Sequence, residues 1–305
     1  MLVPLRPGFA ARLENIRAAT ATETDIATIK AALLDYPVLV LPGQELSADE
    51  HIAFGSHFGP LETNAIAGQG YSPGVRAEML EISNVGDTNV DTEQVARRRQ
   101  MDLGNRFWHT DGSYKSVPCH LSMLYGIKVA KKDGETQFAD MRAGYDAIPD
   151  DIKAEIETMV AFHRGSQARV MIGFDKWLDS ERAFIDAGAA YKLVRTLPET
   201  GRKTIFLSAH AAHIIGMPVP EGRVLLHELT EIATAPAHVY THRWQIGDLV
   251  IYDNRCTMHR LRRYDVEREQ RVLRRVATLD MANPSCDPAE IEHNLQGVSD
   301  DPTEH

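Results

Sequence analysis

Cysteine is scarce: the 305 residues hold three, Cys119, Cys256 and Cys286, and no two stand close enough in sequence to form a metal-binding pair. An odd, scattered set argues against a disulfide framework and against structural zinc on thiolates, and fits a reducing compartment. Long hydrophobic runs are missing as well. No stretch reaches the roughly 18 apolar residues a spanning helix needs. The opening MLVPLRPGFAARLENI has no basic segment followed by an apolar core, so a signal peptide has no support. Positive charge is not in excess, since 33 Lys+Arg face 43 Asp+Glu for a formal charge of -10. That balance argues against nucleic acid or an anionic membrane as the main partner. No glycine-rich phosphate fingerprint follows a strand, and no repeat or low-complexity tract is visible. With 43% hydrophobic residues the chain can fill its own core, and the expectation is a cytoplasmic enzyme acting on a small molecule.

Along the chain, Thr24 to Leu34 reads as a helix feeding a short buried strand, Pro37-Val-Leu-Val-Leu-Pro42. Ser47-Ala-Asp-Glu50 is a capping box that opens a helix carrying His51, Phe54 and Phe58. The weakly patterned region from Thr63 to Asn105, which includes a strand at Met79 to Val85 and the polar, Arg-rich run Asp91 to Gln100, reads as a loop or a lid. Within it, Asn64 to Tyr71 is a candidate apolar pocket wall. From Phe107 onward, short β-rich segments between turn residues predict a sandwich or barrel, with helical insertions at Met141 to Leu178 and Pro220 to Ala233. After Thr278 acidic residues and prolines accumulate without Lys or Arg, which predicts a mobile tail over residues 281–305.

Two segments carry candidate chemistry. In Trp108-His109-Thr110-Asp111 an imidazole and a carboxylate stand two residues apart, so an extended backbone would project both to one face. Such a pair alone is weak evidence, because composition by itself generates a few. The second segment, Asp248 to His259, is an apolar strand, a polar turn and a short run ending in histidine. If the fold brings His259 beside His109, two imidazoles and one carboxylate occupy one face of an ion and leave open positions, as in non-haem Fe(II) oxygenases. The same three side chains could also hold zinc.

At these residues a resemblance enters. His109-Thr110-Asp111, Thr136 within Gly134-Glu-Thr-Gln-Phe138, Asp253-Asn-Arg-Cys-Thr-Met-His259, and Arg271 with Arg275 resemble the Fe(II)/2-oxoglutarate dioxygenases of the taurine dioxygenase and 2,4-dichlorophenoxyacetate dioxygenase group. The likeness to the second kind extends through Phe58-Gly-Pro-Leu61, Ile82-Ser-Asn-Val85, Asp140-Met-Arg-Ala143 and His242-Arg-Trp244. It implies a mainly β fold with flanking helices, the double-stranded β-helix or jelly roll, as a single dioxygenase domain over residues 1–280. It implies Fe(II) held by His109, Asp111 and His259, with 2-oxoglutarate and O2 as cosubstrates. Thr136 and Arg271 match the pair that holds the far carboxylate of 2-oxoglutarate, and Arg275 matches the residue that holds the substrate's acidic group.

The physical chemistry of these groups agrees, since a guanidinium fork fits a carboxylate in shape and charge and a threonine hydroxyl adds a donor. Strand alternation places Arg271 and Arg275 on one face and Arg274 on the other. Asn84, Trp108, His210 and His213 are candidate pocket residues, with core, edge or surface duties as alternatives for each. Asp253 and Asn254 are candidates to brace the ligand segment, while Trp244 and Tyr252 read as core. The implied reaction is hydroxylation of the carbon beside the carboxylate of a phenoxyacetate-type acid, giving a phenol and glyoxylate with succinate and CO2. The alternatives are the same chemistry on taurine or another small sulfonate or carboxylate, a zinc hydrolase, and a non-catalytic metal-binding barrel. The expected partner is a small anionic aromatic substrate, with a homo-oligomer as the assembly.

Overall fold

The structure, a computed structural model, describes residues 1–63, 76–85 and 92–287. The candidate pocket wall at Asn64 to Tyr71 and tail residues 288–305 lie outside the described residues. The largest sheet has seven strands in the spatial order β1 (Leu2–Arg6), β2 (Ala10–Leu13), β3 (Val38–Leu41), β13 (Leu249–Asp253), β5 (Cys119–Lys128), β15 (Val272–Leu279) and β4 (Met79–Ser83). Neighbours run antiparallel except β2 and β3, which are parallel. A three-stranded sheet is built from β12 (Val239–His242), β6 (Thr136–Asp140) and β14 (Thr257–Leu261). Two small sheets pair β11 (Ala211–Ile214), β7 (Val160–Arg164) and β8 (Gly188–Lys192), and β10 (Lys203–Ile205) with β9 (Val194–Thr196).

The helices are α1 (Glu23–Asp35), α2 (Ala48–Ser56), α3 (Thr92–Asp102), α4 (Met141–Asp146), α5 (Asp150–Ile156), α6 (Gln167–Val170), α7 (Arg182–Asp186) and α8 (Val219–Ala233). Capping boxes start α1 and α2, with Thr22 accepting from the Asp25 amide and Ser47 from that of Glu50.

Alternation along the central strands explains the layering. In β3 and β13, Leu39, Leu41, Leu249 and Ile251 point outward against Ile26, Ile29 and Leu33 of α1 and Phe54 of α2. Val38, Val40, Val250 and Tyr252 point inward, against Phe138 of the three-stranded sheet. The outer face of that second sheet, through Ala139 and Met258, packs on α4, α5 and α8. A helical layer thus covers each of two facing sheets. Full burial of each large apolar side chain contributes about 1.5–3 kcal/mol, and both faces of the central strands contribute.

The jelly-roll expectation is corrected by this topology. The described strands form four open sheets in a mixed α/β fold, and none closes into a barrel. The reason is where the ladders stop. Strands β1, β4 and β12 find no further partner strand among the described residues, and the outer edge of β14 meets only an isolated bridge from His259 to His109. Two further differences are local. The helical stretch expected over Met141 to Leu178 is broken by β7, whose Val160-Ala-Phe-His-Arg run pairs with β8 and β11. The Arg-rich run read as loop contains α3. Within the segment read as a tail, Ser285 donates its amide to the Ser116 carbonyl and Cys286 to that of Ala190.

Candidate active site

The site lies between the two facing sheets. His109 and His259, 150 positions apart, are joined by a two-way backbone bridge, with the His109 amide 3.0 Å from the His259 carbonyl and the reverse bond at 2.8 Å. This pairing sets the ring centroids 4.1 Å apart. Asp111 follows on the same side, and Gly112 then turns the chain at φ +65°, where an added Cβ would fall 2.8 Å from the Cys119 sulfur. One potential ligand atom from each of His109, Asp111 and His259 lies within 4.8 Å of the others, the one such group among the described residues.

Hydrogen bonds fix the direction of Asp111 and His109. Asp111 Oδ2 accepts from Ser122 Oγ at 2.8 Å, Tyr252 OH at 2.7 Å and Arg275 Nη1 at 2.9 Å. Three donors on one oxygen leave Oδ1 as the atom nearest His259, 3.9 Å from its Nε2. Ser122 is itself aimed by Asn254, whose Nδ2 donates to its oxygen at 2.9 Å while Oδ1 accepts the Asp111 amide at 3.2 Å. The Nδ1–H of His109 donates to the Phe107 carbonyl at 2.8 Å, leaving Nε2 with a free lone pair. Nδ1 of His259 is buried without a hydrogen-bond partner.

Protonation states suit metal binding. Burial, with His109 alongside, lowers the His259 pKa to about 3, and burial lowers that of His109 against the pull of Asp111. Both imidazoles are therefore neutral, the form that ligates. Burial raises the Asp111 pKa, but the Arg275 guanidinium, helped by the hydrogen bond from Tyr252, outweighs it and keeps the carboxyl ionised. Two neutral imidazoles and one carboxylate are a donor set for ferrous iron with positions left open.

Beside this group lies a cavity of about 150 Å³. At one end Thr136, on β6, meets Arg271. The Thr136 hydroxyl oxygen accepts from Trp244 Nε1 at 2.9 Å and from Arg271 Nη2 at 3.3 Å, so its own hydrogen is available to an incoming acceptor. Arg271 is buried and its Nε has no hydrogen-bond partner. Burial brings its pKa down to about 10, with only partial relief from Tyr264 and Asp102. An under-compensated guanidinium next to a hydroxyl donor fits a carboxylate.

Arg275, four residues on, is held differently. It pairs with Asp111 and with buried Glu62, which in turn pairs with Lys115. Burial opposes the charge of Arg275, yet the two carboxylates raise its pKa well above the usual value. Glu62 is kept below the usual carboxylate range because Arg275 and Lys115 outweigh its burial.

The remaining candidates separate. Buried His210 lines the cavity, while His213 stacks on Phe162 with centroids 5.4 Å apart and is not among the lining residues. Asn84 accepts the Arg271 amide at 2.8 Å and donates to the carbonyls of Val266 and Glu269, so it shapes the approach to Arg271. Trp108 is buried beneath the Arg260 guanidinium, 4.4 Å from its ring centre. Sequence reasoning passed over Ser122, Glu62, Lys115 and Arg169 and treated Tyr252 as core. The one available signal was strand register, since Tyr252 sits opposite Ser122 on the inner face.

Comparison with known proteins places these residues in context. Residues 2–277 match the family model described as taurine catabolism dioxygenase TauD, TfdA family. The chain is 42% identical over 281 residues to an alpha-ketoglutarate-dependent 2,4-dichlorophenoxyacetate dioxygenase of Cupriavidus pinatubonensis, covering 92% of this chain and 97% of that one. It is 33% identical to an (S)-phenoxypropionate/alpha-ketoglutarate-dioxygenase of Sphingobium herbicidovorans, over 88% of this chain and 91% of that one. Among solved structures it is similar to AAD-2 in complex with Mn(II) and N-oxalylglycine, with a TM-score of 0.82, 35% identity, and 94% and 100% of the two chains covered.

Proposed function

The chain belongs to the taurine catabolism dioxygenase TauD, TfdA family and is an Fe(II)- and 2-oxoglutarate-dependent dioxygenase, and from that premise we propose that its substrate is an aryloxyacetate of the phenoxyacetate type. His109, Asp111 and His259 are the iron ligands in this reading. Iron with 2-oxoglutarate and O2 supplies the oxidation, releasing succinate and CO2. One oxygen atom enters the substrate C–H bond between the carboxylate and the ether oxygen. The resulting hemiacetal breaks the bond between its hydroxylated carbon and the ether oxygen; that oxygen leaves with the ring and takes up the proton the hydroxyl gives up, giving a phenol and glyoxylate.

The residues of this chain contribute position and charge. Arg271 and the Thr136 hydroxyl grip the far carboxylate of 2-oxoglutarate, with Asn84 and Trp244 setting their orientation. Ser122, Tyr252 and Asn254 keep Asp111 turned toward the metal. Arg275 contacts the substrate's acidic group. The observation that carries the cosubstrate assignment is the buried Arg271 Nε with no partner, next to a hydroxyl whose acceptor capacity is already taken. The aryl ether part rests on the similarity to dioxygenases of 2,4-dichlorophenoxyacetate and of (S)-phenoxypropionate.

The test holds protein, Fe(II), 2-oxoglutarate and O2 constant and varies the substrate among phenoxyacetate, a phenoxypropionate, taurine and a fatty acid. Succinate coupled to phenol and glyoxylate with the aryloxy acids is the expected result. Sulfite from taurine with inert phenoxyacetate would overturn the substrate while leaving the cofactor chemistry in place.

A further inference from the structure

The substrate side of the cavity carries a guanidinium that none of the roles above uses. Arg169, on α6, lines the cavity together with His109, Tyr114, Phe184 and His210. Its Nη2 donates to Asn105 Oδ1 at 3.0 Å, and its Cζ lies 5.6 Å from the centre of the Phe184 ring. Its Nε is buried and makes no hydrogen bond. Among the described residues no carboxylate pairs with it, whereas Arg275 has two and Lys115 has one.

The surrounding chain is shaped to keep it there. A Cβ added at Gly104 would stand 3.1 Å from Arg169 Nε and 3.2 Å from its Cδ and Cζ, so the guanidinium lies directly on the Gly104 backbone. Asn105, the next residue, anchors one end of the fork. Phe184 and Tyr114 meet edge to face at 5.2 Å, and Tyr114 lies 4.8 Å from His210, which makes the wall beside Arg169 aromatic. Partly buried cations without counter-charge are costly unless a ligand compensates them. A planar fork over an aromatic ring suits a ligand that has both a carboxylate and an aryl group.

We propose that Arg169 is a specificity-determining residue that binds the carboxylate of the primary substrate and supplies the unmatched positive charge that selects acids. Arg275 keeps a contact role with its unbonded Nε, but its charge is already balanced by Asp111 and Glu62. This inference rests on the acidic aryl substrate proposed above, and its test separates the two.

Anaerobic protein loaded with Fe(II) and 2-oxoglutarate is titrated calorimetrically with phenoxyacetate and with its uncharged counterpart phenoxyacetamide, and O2 uptake is measured in parallel. For Arg169→Gln the affinity for phenoxyacetate falls about 10- to 100-fold, as expected for a lost charged hydrogen bond. Phenoxyacetamide binding and the KM for 2-oxoglutarate stay within about twofold, and Arg169→Lys recovers part of the loss. Gly104→Ala, which displaces the guanidinium without removing it, repeats the effect in weaker form. Wild-type affinity of Arg169→Gln for the acid overturns the inference. So does an equal loss for the amide, which would make the contact one of shape, or a raised KM for 2-oxoglutarate alone, which would give the guanidinium to the cosubstrate. Wild-type protein that binds phenoxyacetate without releasing phenol sinks only the proposed reaction, and wild-type protein that does not bind it sinks both.

Discussion

Arg271 and Arg275 stand four residues apart along one face of the same chain segment, and both are buried, yet they live in opposite electrostatic surroundings. Arg275 touches two carboxylates, and its charge is locked in. Arg271 touches a threonine hydroxyl, and burial weakens its hold on its proton. An arginine already neutralised by the protein has little charge to offer a ligand. One left uncompensated in a cavity is a binding site in waiting, and the same test singles out Arg169. Residue type and spacing alone do not distinguish these cases.

Asp111 joins the two regions, since it serves both the metal group and Arg275. Asp111→Ala should reduce 2-oxoglutarate-dependent succinate formation by more than about 1,000-fold, because it removes a ligand and an anion together. Iron content and turnover measured on the same sample check this, and near-normal turnover would remove Asp111 from the ligand set. Glu62→Gln should lower unfolding stability by about 3 kcal/mol, as it leaves Lys115 unpaired and Arg275 with one partner. The pH dependence has a definite sign. Because the pKa of Glu62 is lowered in the fold, its stabilisation is present above the ordinary carboxylate value and is lost as pH falls through the lowered one. Denaturant midpoints from pH 7 down to pH 3 should converge for wild type and variant, and parallel curves would contradict the pairing.

For Arg271→Gln the KM for 2-oxoglutarate should rise about 10- to 100-fold with iron affinity unchanged, read by steady-state kinetics and metal titration. An increase confined to the primary substrate would exchange the roles of the two arginines. The smallest effect is expected at Arg274, which faces away from the cavity at 3.8 Å from Glu81. Arg274→Ala should change stability by no more than about 0.5 kcal/mol and leave both KM values alone. A larger change would break the simple division of this strand into a cavity face and an outer face.

Much of the candidate site was legible because its residues are chemically costly. Two histidines, an aspartate, a threonine and two arginines in spaced motifs point to one chemistry before any contact is known. Asn254 could be read as a brace because it lies in the ligand segment itself. Ser122, Glu62 and Lys115 could not, since a serine in an apolar strand and a Glu–Lys pair separated by 53 positions look like ordinary composition. Tyr252 was hidden for a related reason: a tyrosine in an apolar strand reads as core, and it is core, but its hydroxyl reaches Asp111. The strand-rich second half was visible from alternation and turns. The arrangement of those strands as four open sheets was not, because alternation tells which face a residue takes and leaves the partner strand open.

The sequence by itself determined the donor types: which atoms can bind iron, which can grip a carboxylate, and which strand face each occupies. Those follow from covalent chemistry and the two-residue repeat of an extended chain. Tertiary structure decided which charges were cancelled and which were not, by bringing Glu62 to Arg275 and leaving Arg169 over the Gly104 backbone. Electrostatic energy depends on distance and burial, and neither is fixed until segments far apart in the chain have packed.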